Sequence, residues 1–156
     1  MHVRVKIKAE ALPQSQSRML SLWEACVRGD ITAVRLAVQG GADVNETDGV
    51  TMTPLMWAAH RGKSEISKLL LQQPGINIDC SDEDGRTAMH YACLFGCLEV
   101  LRMLLASESR GSINQPDKGG CTPLMCASNY GHVECVKLMV GVAGVDLETR
   151  YEVHTR

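Results

Sequence analysis

The sequence predicts an all-helical solenoid, in which repeated units stack side by side instead of closing around one core. The first observation is a ten-residue pattern that occurs at 53–62, 87–96 and 122–131, with a fainter copy at 20–29. The second is that the three clear copies begin with Thr and all four end with Gly, residue types that favour helix boundaries. A fixed period of this length is typical of stacked supersecondary units, so four units are expected.

Two helices are predicted in each unit. Thr is a favoured N-cap and Pro suits the first helical turn, so the first helices are expected to begin at Pro54, Ala88 and Pro123. The Gly that closes each pattern should end that helix, because Gly readily adopts a positive φ. A second helix follows with apolar residues at helical spacing, as in 98–105. Short segments rich in Gly, Asn and Asp then lead into a projecting hairpin.

These signals divide the chain. A basic leader is predicted at 1–18 and a repeat domain at 19–156, with repeats at about 20–52, 53–86, 87–121 and 122–150 and the start of a missing or degenerate unit at 151–156. Residues 3–8 alternate apolar and basic side chains, as a half-buried strand would. Terminal segments are usually loose, so a flexible leader is the favoured alternative.

The two ends of the array are predicted to differ. Polar residues near the helices of the first unit are typical of a terminal cap: Arg28, Asp30, Thr32 and Arg35. In the last unit, Met139 and Val140 on the second helix are expected to face solvent, whereas Cys135 should be buried. This apolar end favours interpreting the chain as a fragment or short form of a longer array.

The pattern Thr-Pro-Leu-x-x-Ala-Ala-x-x-Gly at 53–62, followed by the apolar helix at 63–71, resembles the ankyrin repeat. Four in-register copies extend this resemblance over about 20–150. It implies helix-turn-helix units with projecting β-hairpin loops, an arrangement that binds other proteins through one long face. In that family, residues flanking the central Ala-Ala pair face a concave groove. The resemblance therefore predicts these partner-binding residues: Trp57, His60, Arg61, Tyr91, Leu94, Phe95, Asn129 and Tyr130.

Two aromatic side chains are expected to act as free anchors in this groove. Four exposed aromatic anchors would supply more binding energy than ordinary complexes have, so some must serve packing. Phe95 and Tyr130 directly precede a Gly and are expected to pack against neighbouring helices, which leaves Trp57 and Tyr91 as the anchors. The alternative is that the latter two fill gaps between stacked helices.

Charge indicates the kind of partner. The run Asp82, Glu83 and Asp84 exceeds what a turn needs, and it would attract a basic segment and repel phosphate. The net charge of −2 also argues against a nucleic-acid partner. A peptide segment with an apolar anchor and nearby Lys or Arg is therefore the predicted partner.

Composition excludes several other classes. No apolar run reaches the length of a membrane span, so membrane insertion is not expected. Seven cysteines are an odd number without a paired framework, which favours free thiols in a cytoplasmic or otherwise intracellular protein. A monomer is predicted unless the last repeat self-associates through its apolar end.

Packing explains the candidate metal-ligating residues better than catalysis or metal binding does. His90, Cys93 and Cys97 lie about one turn apart and could in principle contribute to a zinc site, but no fourth ligand stands at suitable spacing. His90 also falls at a position where the ankyrin resemblance implies a histidine that bonds the neighbouring loop. No phosphate-binding loop, calcium loop or nucleophile motif is present. No catalytic residue, metal or cofactor is predicted.

The sequence thus favours a non-catalytic protein–protein interaction module that holds a partner segment in the groove. One alternative is a regulatory or targeting module of a larger enzyme or scaffold protein. A second alternative, a thiol- or zinc-dependent activity, is the weakest of the three. Surface residues rather than the fold determine the ligand, so the partner and the pathway stay open.

Overall fold

The structure, a computed structural model, describes residues 20–107 and 112–148. The predicted leader at 1–18 and the segment at 151–156 lie outside the described residues. In this described part of the chain, eight helices form four consecutive pairs: α1 (Leu22–Arg28), α2 (Ile31–Gln39), α3 (Pro54–His60), α4 (Ser64–Leu71), α5 (Ala88–Leu94), α6 (Leu98–Ala106), α7 (Pro123–Asn129) and α8 (Val133–Val140). The pairs confirm the all-helical repeat architecture.

In the second, third and fourth pairs, the first helix begins where the sequence predicts, at Pro54, Ala88 and Pro123. Thr53 and Thr122 cap α3 and α7, and their hydroxyls accept backbone N–H bonds at 3.3 and 3.4 Å. Within two residues of its end, each first helix is followed by a glycine with a positive φ of 62° to 73°: Gly29, Gly62, Gly96 and Gly131. These glycines reverse the chain so that the second helix can return along the first.

The helices form two layers with an apolar core between them. The first helices α1, α3, α5 and α7 stack in one layer, and their mutual contacts are more extensive than those among the second helices. Small side chains in this layer, such as Ala58, Ala59 and Ala92, are fully buried and let the helices approach closely. The largest fully buried apolar side chains are Leu22, Leu55, Met56, Leu70, Met89, Leu101, Leu104 and Met139.

The loops between units are tight turns, and no regular strand occurs in 20–107 or 112–148. Consecutive loops are tied by side-chain oxygens one repeat apart. Asn45 Oδ1 accepts the Asn77 N–H at 2.8 Å, and Asn114 Oδ1 accepts the Asp146 N–H at 2.8 Å. Between these two, Asp79 Oδ1 accepts the Ser112 N–H at 3.0 Å. The projecting loops therefore form a connected edge along the array.

The first and last units expose different kinds of side chains, and the predicted exposure is wrong for one residue of the last unit. The polar residues of the first unit, Arg28, Asp30, Thr32 and Arg35, are exposed. In α8, Cys135 is buried and Val140 is 50% exposed, both as expected. Met139, however, is completely buried, so the expectation that it faces solvent is wrong. It lies one helical turn from Cys135, on the side of α8 that faces the core.

Candidate protein-binding face

One aspartate in each connecting loop accepts backbone N–H groups of that loop, and in the first two loops it also accepts a hydrogen bond from a side chain of the following helix. In the loop before α3, Asp48 Oδ1 accepts the N–H groups of Val50 and Met52 at 3.0 and 2.9 Å. Its other oxygen accepts the indole N–H of Trp57 at 2.8 Å. Trp57 is half-buried as a result, with its polar edge turned toward the loop.

The next loop repeats this arrangement with a tyrosine. Asp82 Oδ1 accepts the N–H groups of Asp84 and Arg86, both at 2.9 Å, and Oδ2 accepts the Tyr91 hydroxyl at 2.5 Å. Asp82 and Tyr91 are each only 7% exposed. Burial and the adjacent Asp82 carboxylate raise the pKa of Tyr91, so its hydroxyl stays protonated and donates. The expectation that Tyr91 is a free anchor is therefore wrong, and Asp82 directs its charge inward.

The third loop has the same aspartate but a different partner. Asp117 Oδ1 accepts the N–H groups of Gly119 and Cys121 at 2.9 Å. The residue nine positions later is Cys126, where Trp57 and Tyr91 stand in the earlier units. In its place, Arg86 Nε of the preceding loop donates to Asp117 Oδ2 at 3.3 Å. The sequence contained a signal for these loop aspartates, since an Asp stands nine residues before each of Trp57, Tyr91 and Cys126.

Four rings from α3 and the α5 segment form an aromatic cluster, defined as Trp57, His60, Tyr91 and Phe95. The His60 ring lies in the middle, with centroid distances of 5.3 Å to Trp57, 5.8 Å to Tyr91 and 4.3 Å to Phe95. Tyr91 and Phe95 are nearly parallel at 6.5 Å. The cluster joins the second and third units, because its members come from both.

His60 is neutral within this cluster at neutral pH. Burial, followed by the charge of Arg61, lowers the pKa of the imidazole. The Nδ1 atom is buried and has no hydrogen-bond partner among the residues that the structure describes. The guanidinium carbon of Arg61 lies 5.9 Å from the Trp57 ring centroid, within the range of a cation–π contact.

Among the described residues, the exposed aromatic side chains are Phe95 and Tyr130, the two that were expected to serve packing. Phe95 is 45% exposed and Tyr130 is 65% exposed. Both occupy the position just before the glycine, where the first helix ends and its side chains lie beside the chain reversal. The predicted residues Arg61 and Asn129 are also exposed, and Leu94 is half-buried. The expectation that both residues pack against neighbouring helices is therefore wrong for Tyr130, whereas Phe95 does pack against His60 of α3, at 4.3 Å between ring centroids, and leaves part of its ring exposed.

The loop edge beside this face is acidic. The described loop segments 41–52, 75–86, 112–121 and 144–148 contain ten Asp and Glu residues against two Arg and Lys residues. Glu83 and Asp84 are exposed, as predicted. Asp84 pairs with Arg86 at 3.4 Å, whereas no ion pair of Glu83 occurs within the described residues. The edge therefore keeps a negative field that a basic segment could meet.

His90 is a structural histidine. The Thr87 N–H donates to His90 Nδ1 at 3.1 Å, so the ring proton lies on Nε2, which donates to the Cys121 carbonyl at 3.1 Å. Burial lowers the pKa of His90 and keeps this neutral form. Burial also raises the pKa of Cys93 well above its ordinary value. Within 20–107 and 112–148, no group of three possible metal ligands comes together. Both ring nitrogens of His90 are therefore used in hydrogen bonds that join α5 to the neighbouring loop.

Comparison with known proteins gives the same repeats. The family model described as ankyrin repeats, in three copies, matches residues 22–117, and the model described as ankyrin repeat matches residues 119–150. None of the helices in the described part of the chain is long and apolar enough to cross a membrane.

Three relatives illustrate the range of similar proteins. The chain is 36% identical to the 26S proteasome non-ATPase regulatory subunit 10 of Dictyostelium discoideum, over 60% of this chain and 40% of that protein. It is 35% identical to the dauer abnormal formation protein 25 of Caenorhabditis elegans, over 64% of this chain and 26% of that protein. It is 31% identical to inversin of Gallus gallus, over 87% of this chain and 12% of that protein. The chain therefore spans less than half the length of these relatives.

Proposed function

The chain belongs to the ankyrin repeat family, and from that premise we propose that it is a non-catalytic module that binds a segment of another protein. Repeats of this family generally serve protein–protein interaction. The observation that supports a specific surface is the exposure of Phe95 and Tyr130 at equivalent positions of adjacent units. We define the binding face as these two residues together with Trp57, Arg61 and Asn129.

The binding face offers apolar area at two points spaced by one repeat. Exposed aromatic side chains are frequent anchors in protein interfaces, because they bury a large area with few rotatable bonds. The aromatic cluster supports Phe95 from beneath through His60, at a centroid distance of 4.3 Å. Phe95 is thereby held in one orientation before a partner arrives, which lowers the ordering cost of binding.

The acidic loop edge determines the kind of partner. Ten acidic residues against two basic ones favour a segment that carries Lys or Arg beside its apolar anchors. Glu83 is the exposed carboxylate best placed to contribute, since Asp82 is buried and Asp84 already pairs with Arg86. The same charge repels nucleic-acid phosphate.

A role within a larger protein is the second candidate. The aligned regions cover 40%, 26% and 12% of the three relatives described above. Repeats of this kind thus occur as parts of longer chains, and the present one would act there as a regulatory or targeting module. All seven cysteines are free thiols, which is consistent with an intracellular site of action.

A selection from a random peptide library tests the binding face. Enriched peptides should contain an aromatic or aliphatic anchor with Lys or Arg nearby. For one such peptide, the substitutions Phe95→Ala and Tyr130→Ala should each weaken affinity by about tenfold or more. Leu36→Ala is the matched control, because Leu36 is 62% exposed on α2 and should leave affinity unchanged. Glu83→Gln should mainly slow association and reduce its dependence on salt.

Two results would refute the proposed binding face or its partner chemistry. Enrichment of acidic peptides would contradict the proposed partner chemistry. Equal affinity of the wild type and a Phe95→Ala, Tyr130→Ala double variant, with unchanged melting temperatures, would show that the partner binds elsewhere. These two outcomes can be told apart because the first concerns the peptide and the second the protein.

A further inference from the structure

Two thiols stand in contact at the junction between the third and fourth units. The sulfur atoms of Cys121 and Cys126 are 3.5 Å apart. Cys121 lies in the loop and is half-buried, whereas Cys126 lies in α7 and is 4% exposed. Among the described residues, which include all seven cysteines, no other pair of thiols lies within hydrogen-bonding distance.

We propose that Cys121 and Cys126 are a reversible redox site, which closes to an intramolecular disulfide by exchange with a low-molecular-weight disulfide such as oxidised glutathione. In the first step, the Cys121 thiolate attacks one sulfur of oxidised glutathione, and a Cys121–glutathione mixed disulfide forms as one glutathione thiolate leaves. In the second step, Cys126 loses its proton and attacks the Cys121 sulfur. The second glutathione leaves as a thiolate and takes up a proton.

The exchange is balanced in atoms and electrons. Two protein thiols are oxidised to one disulfide, and one glutathione disulfide is reduced to two thiols. A thiol in excess, such as reduced glutathione or dithiothreitol, drives the same steps backward. The redox state of the site therefore follows that of the surrounding low-molecular-weight thiols.

The order of the two steps follows from access and acidity. Cys121 is the more accessible thiol, so a soluble disulfide meets it first. Burial, together with the hydrogen bond and charge of Cys121, raises the pKa of Cys126 to about 12. Cys126 is consequently a poor nucleophile toward a reagent in solution but is in place to attack a disulfide at Cys121, because contact replaces diffusion.

The position of Cys121 connects this chemistry to the structure around it. Its N–H donates to Asp117 Oδ1 at 2.9 Å, and its carbonyl accepts from His90 Nε2 at 3.1 Å. Both backbone groups are therefore fixed, and the sulfurs would have to close from 3.5 Å to the bond length of about 2.05 Å by side-chain rotation. The resulting bond would tie the loop to α7.

The site also adjoins the binding face. Asn129 Nδ2 lies 4.0 Å from Cys121 Sγ, and Tyr130 follows it in sequence. Closing the disulfide removes a polarisable thiol from this neighbourhood and restrains the loop beside Asn129. The chemistry itself does not depend on whether a partner binds there.

Mass spectrometry of the native protein tests the proposal. The protein is incubated with oxidised glutathione, its remaining thiols are alkylated, and the chain is cleaved after Lys118 and Glu134. The fragment 119–134 contains Cys121 and Cys126 but not Cys135. We expect this fragment to lose two hydrogen atoms, to carry no alkyl group or glutathione, and to recover two alkylatable thiols after dithiothreitol.

Three single variants locate the steps. In Cys126→Ser the reaction should stop at the glutathione adduct on Cys121, and in Cys121→Ser the Cys126 thiol should stay reduced. Cys97→Ser is the control: Cys97 is also half-buried, and this variant should form the disulfide as the wild type does. Circular dichroism confirms that each variant is folded.

Two outcomes would overturn the proposal. A wild-type protein that accumulates the Cys121–glutathione adduct without forming the disulfide would show that Cys126 does not resolve it. A disulfide that joins either residue to Cys135 or Cys93 would show that the native contact does not direct the reaction.

Discussion

At the scale of single residues, Trp57 and Tyr91 show that equivalent positions of the repeat differ in exposure even though a loop aspartate binds both side chains. Both rings occupy the same position of the repeat and donate to a loop carboxylate. Tyr91 is also covered by His60 and Phe95, at 5.8 and 6.5 Å between centroids, and is 7% exposed. Equivalent sequence positions thus have unequal surfaces, because the neighbours differ.

The hydroxyl of Tyr91 should contribute to stability. Tyr91→Phe removes the donor and leaves Asp82 Oδ2 buried without this bond. A hydrogen bond to a charged group typically contributes about 1.5–3 kcal/mol to stability. We expect the free energy of unfolding in urea to fall by that amount, with little change in the slope of the transition. Tyr130→Phe makes the same chemical change on a residue that is 65% exposed, and should alter stability by less than about 0.5 kcal/mol.

The difference in stability between Tyr91→Phe and Tyr130→Phe tests the structural role of the Tyr91 hydroxyl. Equal stabilities of Tyr91→Phe and Tyr130→Phe would contradict a structural role for the bond between Tyr91 and Asp82. A double variant with Asp82→Asn gives the coupling between the two side chains, which should be of the same order as the loss in Tyr91→Phe.

How much could be predicted from the sequence is clearest at this scale. The helix starts at Pro54, Ala88 and Pro123 follow from local capping chemistry, so they were predicted correctly. The role of His90 followed from the family resemblance and is confirmed by its bond to Cys121. The exposure of Phe95 could not be predicted in the same way, because it depends on which rings of adjacent units meet in space.

At the scale of an element, α8 shows why a lack of charged residues is a poor guide to exposure. The helix is apolar at several positions, and the sequence alone did not distinguish those facing the core from those facing solvent. In the structure, Cys135 and Met139 share the buried side one turn apart, while Val133 and Val140 are 58% and 50% exposed. Residues four positions apart lie on the same face of a helix, so counting from the buried Cys135 places Met139 in the core.

Substitutions on α8 should separate these two sides. Met139→Lys places a charge at a fully buried position, so we expect the free energy of unfolding to fall by more than about 2 kcal/mol. Val140→Lys is the matched control, since Val140 is the next residue and is itself 50% exposed, so the change should cost less than about 1 kcal/mol. Chemical denaturation of both variants measures the difference. Similar stabilities would mean that α8 does not pack against α7 through Met139.

At the scale of the whole molecule, each junction between units repeats one close contact. The glycine that ends a first helix lies beneath the side chain that precedes the second helix of the following unit. A Cβ atom added at Gly62 would lie 3.2 Å from Cys97 Sγ, and one at Gly96 would lie 2.5 Å from His132 Nδ1. The His132 ring is held there by its Nε2 bond to the Leu94 carbonyl at 2.9 Å. Neighbouring units are therefore coupled through close contacts at these glycines, and the tightest is at Gly96, where an added Cβ would clash with the His132 ring.

Gly96→Ala should uncouple the fourth unit from the third, and Gly131→Ala is its control. Both glycines have a positive φ, 65° and 72°, so alanine brings a similar backbone strain of about 1–2 kcal/mol at either position. Only the Cβ at Gly96 meets a neighbour, because none lies within 4 Å of a Cβ at Gly131. The extra loss in Gly96→Ala therefore reports the contact with His132 and not the turn.

Amide hydrogen exchange measures which helices lose stability in Gly96→Ala. In a solenoid each unit contacts only its neighbours, so weakening one junction should lower protection on its far side and leave the near side intact. We expect amides of α7 and α8 to exchange faster in Gly96→Ala, while those of α1 and α3 keep their protection. A uniform loss across all eight helices would instead mean that the units unfold as one cooperative block, and equal effects of Gly96→Ala and Gly131→Ala would mean that the His132 ring moves aside at no cost.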